Sequence, residues 1–137
     1  MNAYDGIVHV VLEHYPAVQA IYLFGSFGTE DEWADSDLDI ALLLSPDEAK
    51  RTEYIALSRA RLALEKLLRR DVDLINLRQV STVFQKEITM AERRIFCAYP
   101  YAADEFEMLV ISLYQKLNEE RADVLAEGLR SRRFYNV

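Results

Sequence analysis

Residues 18–44 read VQAIYLFGSFGTEDEWADSDLDIALLL, two apolar runs with an acidic stretch between them. The first run, 18–24, is rich in β-branched and aromatic residues and stops at Gly25-Ser26, which marks a strand. The second, 37–44, opens with alternation as Asp37-Leu38-Asp39 and continues as unbroken apolar sequence, the pattern of a strand whose far end is buried on both faces. The polar FGTEDEWADS between them predicts a turn or single helical turn and a loop.

Working outward, residues 2–15 carry Tyr4, Ile7, Val8, Val11 and Tyr15 at spacings of three and four, predicting an amphipathic helix ended by Pro16. Beyond the second strand, Ser45, Pro46 and Glu48 supply a cap, a first-turn proline and a box residue, so 46–69 predicts one long helix. Strict alternation resumes in DVDLINL, 71–77, as a third strand. Strand signals then stop. Residues 82–98 and 102–128 predict two helices broken at Tyr99-Pro100-Tyr101. The expectation is an α/β (α+β) fold: a small mixed β-sheet with helices packed on it and a helical C-terminal half. The 137 residues form one domain, its chemistry in about 1–79 and its C-terminal helices in about 80–137.

Composition narrows the function. Sixteen basic against 23 acidic residues give a net charge of -7, opposite to the balance that holds long nucleic acid by its phosphates. The excess lies where the strands lie: residues 1–79 hold 14 Asp/Glu and 8 Lys/Arg, residues 80–137 hold 9 and 8. A lone cysteine, Cys97, excludes an internal disulfide or a multi-cysteine zinc site and predicts a packed thiol. The opening residues lack the cationic start of a signal peptide, and no segment approaches a membrane span, so a cytoplasmic protein is expected.

Asp37 and Asp39 lie two apart on a strand, so their carboxylates face one side, about 7 Å apart along the backbone. Asp71 and Asp73 repeat the arrangement at the start of the third strand. Such like charges call for a cation, and oxygen-only ligands suit Mg²⁺ or Mn²⁺ rather than zinc. Upstream, Gly25-Ser26, with Gly28 nearby, offers backbone N–H groups and a hydroxyl to an anion. A phosphate seat beside a magnesium cluster is what phosphoryl or nucleotidyl transfer requires.

Gly25-Ser26, ten residues, then Asp37-Leu38-Asp39 reproduce the GS-x10-DxD signature of the nucleotidyltransferase superfamily that includes DNA polymerase β and kanamycin nucleotidyltransferase. In length and in its terminal helices the chain resembles the MNT-type minimal nucleotidyltransferases, the antitoxins of HEPN/MNT toxin–antitoxin modules. The resemblance implies ATP as donor and transfer of AMP to a tyrosine of a cognate HEPN ribonuclease toxin, silencing it within a hetero-oligomer. It also implies Gly25 and Ser26 as the triphosphate-binding pair, Asp37 and Asp39 as the metal-binding pair, and Asp73 as the third carboxylate of the metal cluster, positioned to accept or help remove the acceptor's proton. Asp73 rather than Asp71 directly precedes the apolar strand core, Leu74-Ile75. Asp71 is then a solvated strand-start residue or an assistant to the metal cluster. Two other readings stand beside this one: a small-molecule acceptor, or neutralisation of a toxin by binding alone.

Other features have plainer readings. His9 and His14 have no third ligand near in sequence and receive no role. Glu30, Asp31, Glu32 and Asp35 form a solvated loop or a patch for a basic partner. Trp33 anchors that loop or stacks on adenine. The aromatic series Phe84, Phe96, Tyr99, Tyr101, Phe106 and Tyr114 fits core packing, with partner docking as the alternative for some of them. The tail residues Arg130, Arg132, Arg133, Phe134 and Tyr135 are a frayed end or a partner contact.

Overall fold

The computed structural model describes residues 3–25, 37–52, 54–55 and 58–135. Ser26, Gly28, Glu30, Asp31, Glu32, Trp33 and Asp35 lie outside the described residues, as do the side chains of Arg130, Arg132, Arg133, Phe134 and Tyr135.

Among the described residues four strands form one sheet in the order β3-β2-β1-β4. β1 (Ala20–Phe24) runs antiparallel to β2 (Leu38–Leu43) and to β4 (Arg94–Cys97), whereas β2 and β3 (Val72–Asn76) are parallel. The two central strands are the two apolar runs quoted above, because only strands covered on both faces can carry nearly continuous apolar sequence. Alternate side chains sort to opposite faces. Ile21, Leu23, Ile40 and Leu74 pack with Ile7 and Val11 of α1 (Ala3–His14) and Leu64 of α3 (Arg59–Leu68). Tyr22, Ala41 and Leu43 pack on the other face with Ile88 of α4 (Thr82–Met90) and Ala103, Phe106 and Val110 of α5 (Pro100–Tyr135).

The mixed sheet with helices on it is the expected architecture, and α1 and β1 to β3 fall within the expected ranges. Two expectations are corrected. The single helix over 46–69 is two helices, α2 (Pro46–Arg51) and α3. α2 ends at its cap Thr52, and α3 begins after its cap Ser58, whose hydroxyl accepts a hydrogen bond from Arg61 N at 3.4 Å. Buried Asn76, at the end of β3, holds the last turn of α2 by donating from Nδ2 to the carbonyls of Ala49 and Thr52.

The second correction is β4. Residues 82–98 are not one helix: α4 stops at Met90, the chain turns through Glu92 at φ 55°, and Arg94–Cys97 pairs with β1. The helix that follows starts at Pro100, where a missing N–H costs nothing, and runs to Tyr135, past the expected end at Gly128. Arg94 ties the added strand to α5 by donating from Nη1 to Asp104 and Glu107 at 3.2 and 2.7 Å. Cys97 is half-buried against the second core rather than fully packed. No helix among the described residues is long and apolar enough to cross a membrane.

Candidate functional site

β1 ends at Phe24, where the backbone turns through Gly25 at φ +75°, a conformation that side chains other than glycine's rarely permit. Antiparallel pairing sets Phe24 opposite Asp39, and parallel pairing sets Asp39 opposite Asp73. Three neighbouring strands therefore deliver Gly25, Asp39 and Asp73 to one end of one face of the sheet. The approach of Gly25 is extreme: a Cβ built on it would lie 2.0 Å from Asp39 Oδ2. The space a side chain would fill is already occupied by the carboxylate.

The carboxyl of Asp39 is pushed up to about 6. Burial is the main cause, followed by a hydrogen bond and charge repulsion from Asp73, then repulsion from Asp37, with the Arg93 guanidinium opposing them. Asp39 thus holds its proton into mildly acidic pH, hydrogen-bonded to Asp73. Asp37 is exposed just before β2, and Asp73 is also exposed. Asp71 bonds through its backbone, its carbonyl accepting from Leu38 N at 2.9 Å, and its carboxylate is not among the charges that raise Asp39. His9 pairs with Glu13 on the exposed side of α1, away from the carboxylates.

Among the described residues no three His, Cys, Asp or Glu side chains converge tightly enough to hold a metal ion as they stand. The donor chemistry nevertheless fits a hard divalent cation. The set is all oxygen, and Asp39 faces the negative charge of both Asp73 and Asp37, a repulsion that a cation would remove.

Two features went unseen in the sequence. Arg93, in the turn before β4, donates from Nη1 to the Gly25 carbonyl at 2.8 Å, and its own carbonyl accepts from Leu23 N at 3.0 Å. It is fastened to β1 by its backbone and to the Gly25 turn by its side chain. A helix read through 82–98 hides it, and no local signal marks it. The second is a cleft of about 440 Å³ that Asp73 lines, together with Phe24, Phe84 and Arg61. Phe24 and Phe84 meet edge to face at 5.4 Å, so Phe84 is a wall of this cleft as well as a core aromatic.

A small mixed sheet carrying facing carboxylates beside a glycine turn defines the nucleotidyltransferase class of fold. Residues 8–100 match the family described as polymerase beta, nucleotidyltransferase, and the chain belongs to that family. It is 32% identical over 120 residues to protein adenylyltransferase MntA of Shewanella oneidensis, covering 87% of this chain and 82% of MntA. Two solved structures are similar over nearly all of both chains. One, a toxin–antitoxin crystal structure with AMP-PNP, is 28% identical with a TM-score of 0.68 and covers 92% of this chain and 98% of its own. The other holds the tri-AMPylated Shewanella oneidensis HEPN toxin in complex with MNT antitoxin. It is 28% identical with a TM-score of 0.65 and covers 93% of this chain and 96% of its own.

Proposed function

We propose that this chain is an antitoxin-type protein adenylyltransferase that moves AMP from ATP to a tyrosine of a cognate HEPN ribonuclease toxin, neutralising it in the cytoplasm. The observation that carries this reading is the meeting of Asp39 and Asp73 across β2 and β3 against the open Cα of Gly25. The similarity to MntA and to the AMPylated toxin complex supports the choice of acceptor. Exposed Met108, Leu109, Val124 and Leu125 along α5 supply apolar area for a hetero-oligomer.

In this reading Gly25 and Ser26 seat the triphosphate through backbone N–H groups and a hydroxyl. Asp37, Asp39 and Asp73 hold Mg²⁺, or Mn²⁺, which when bound neutralises the triphosphate and the departing pyrophosphate. Asp73, the exposed member of the facing pair, orients the tyrosine hydroxyl and accepts its proton as the oxygen bonds to the α-phosphorus. The bond from that phosphorus to the pyrophosphate oxygen breaks in the same displacement. A bound metal ion would offset the repulsion that raises Asp39 and so favour its ionised form.

The test is intact-mass measurement of the protein encoded beside this one after incubation with Mg²⁺ and ATP. Mass should rise by whole AMP units, and not without metal. The double variant Asp37→Asn, Asp39→Asn should fold and bind the partner yet transfer nothing. Transfer by that variant would overturn the site assignment, and full neutralisation in cells without transfer would establish action by contact.

A further inference from the structure

Residues paired across neighbouring strands share a face of the sheet, and so do positions two apart on one strand. Phe24 pairs with Asp39 and Asp39 with Asp73, and Ile75 stands two residues on from Asp73. All four therefore lie on the face that α4 covers, where Phe24, Ile75 and Phe84 are only half-buried. Two aromatic rings and an aliphatic side chain thus make an apolar corner beside the row of carboxylates.

Local structure holds that corner in place. Ser81 caps α4 by accepting a hydrogen bond from Phe84 N at 3.2 Å, which fixes the first turn of the helix and with it the position of the ring. Phe84 meets Phe24 at 85°, with ring centroids 5.4 Å apart. The three side chains and exposed Asp73 line the cleft of about 440 Å³, a volume within the span of about 300 to 1,000 Å³ usual for small-molecule pockets. The cation in that lining, Arg61, is held by Glu65 at 2.9 Å, so the cleft suits a neutral ring better than a phosphate.

In nucleotidyl transfer the entering and leaving oxygens stand roughly in line through the phosphorus. With the triphosphate at the Gly25 turn, the pyrophosphate leaves on the β1 side of Asp39 and the acceptor oxygen enters from the β3 side, where Asp73 and the cleft lie. Resting on the adenylyltransferase reading, we propose that Phe24, Ile75 and Phe84 seat the ring of the acceptor tyrosine and make transfer selective for a phenol over the aliphatic hydroxyls of serine and threonine. Edge-to-face and apolar contacts hold the ring, while its hydroxyl, at the far end of the side chain, reaches Asp73. A serine or threonine hydroxyl is bonded directly to Cβ and brings no ring, so it leaves the seat empty and stops short of the carboxylate.

Two measurements on the full chain test this. The first needs no variant: in the complex with the neighbouring protein, Mg²⁺ and α,β-methylene-ATP, which cannot give up AMP, nuclear Overhauser contacts are sought from the Phe24 and Phe84 ring protons. Contact with a tyrosine ring of the neighbouring protein is expected. Contact with the adenine protons instead, or with neither, overturns the proposal. The second is the rate of AMP transfer from ATP by Phe84→Leu, which keeps an apolar side chain and removes the ring. Its kcat/KM for the neighbouring protein should fall about tenfold while its affinity for α,β-methylene-ATP stays within about twofold of the native value. An equal fall in both, or a fall in neither, overturns the proposal. Tyrosine-ring contact without any AMP transfer by the native chain would leave the seat standing and overturn the adenylyltransferase reading. Transfer without that contact would do the reverse.

Discussion

Gly25 and Asp39 are in such close contact that a Cβ on Gly25 would stand 2.0 Å from the Asp39 carboxylate oxygen. The turn that closes β1 and the carboxylate that opens β2 are therefore one structural unit, and neither can change alone.

Gly25→Ala is expected to abolish transfer without unfolding the chain. The backbone at φ +75° penalises alanine by about 1 kcal/mol. The larger effect is displacement of the Asp39 carboxyl from Asp73. Misplacement of a reacting group by about 1 Å costs about 100-fold in rate, so AMP incorporation should fall at least that far while the melting temperature drops only a few degrees. Undiminished incorporation would separate the Gly25 turn from the chemistry.

The Asp39 carboxyl links stability to pH. Its folded value, pushed up to about 6, lies above the unfolded value near 3.9, so the fold favours the protonated form. That contribution is complete below about pH 4 and is lost as pH rises through about 6. The metal-free protein should be more stable at pH 5 than at pH 7.5, with this carboxyl's share about 1 kcal/mol after solvent screening on its open side. Thermal melts in chelator check it. Asp39→Asn should flatten this part of the dependence and raise stability at pH 7.5, and millimolar Mg²⁺ should stabilise the native chain there. A metal-free melt with the same slope in Asp39→Asn would place the titrating group elsewhere.

How much of this was legible follows from where each signal resides. β1, β2 and their glycine turn are written locally, in β-branched runs and a Gly-Ser break, and the fixed interval to Asp37 and Asp39 marks the candidate site. Asp39 facing Asp73 follows once β2 and β3 are neighbours. β4 is different. Arg94, Ile95, Phe96 and Cys97 fit a helix as well as a strand, the turn before them uses Glu92 at positive φ where a glycine would have been a signal, and pairing with β1 decides the outcome. Arg93 was hidden for the same reason. The break between α2 and α3 was half legible, in Thr52 and Ser58. Its other half is the Asn76 side chain, 24 and 27 residues away from the carbonyls it holds.

Arg93 acts on the site through Gly25. Its guanidinium donates to the Gly25 carbonyl at 2.8 Å and opposes the rise in proton affinity of Asp39. Arg93→Ala removes a charge-assisted hydrogen bond, and transfer should fall about tenfold or more, with Arg93→Lys recovering part of it. A merely structural role would stop there. Loss of the positive charge should also move the pH midpoint of metal-free stability upwards, because Asp39 then holds its proton more tightly. A midpoint that stays put would confine Arg93 to the turn.

Asn76 decides whether α2 stays attached to the sheet. It is 5% exposed, and its Nδ2 donates to Ala49 O at 3.0 Å and Thr52 O at 3.2 Å, the carbonyls that a helix end leaves without partners. Asn76→Ala leaves the buried Ala49 carbonyl and the half-buried Thr52 carbonyl without this donor and opens a small void, which together should cost about 2 to 3 kcal/mol. Asn76→Asp should cost more, since an acceptor and a charge then face two carbonyls. For a chain of this size the alanine variant should melt about 8 °C lower. Because Asn76 ends the strand that carries Asp73 and Leu74, its loss should also raise amide exchange along β3. An unchanged melting temperature would show that other contacts hold the end of α2 against the sheet.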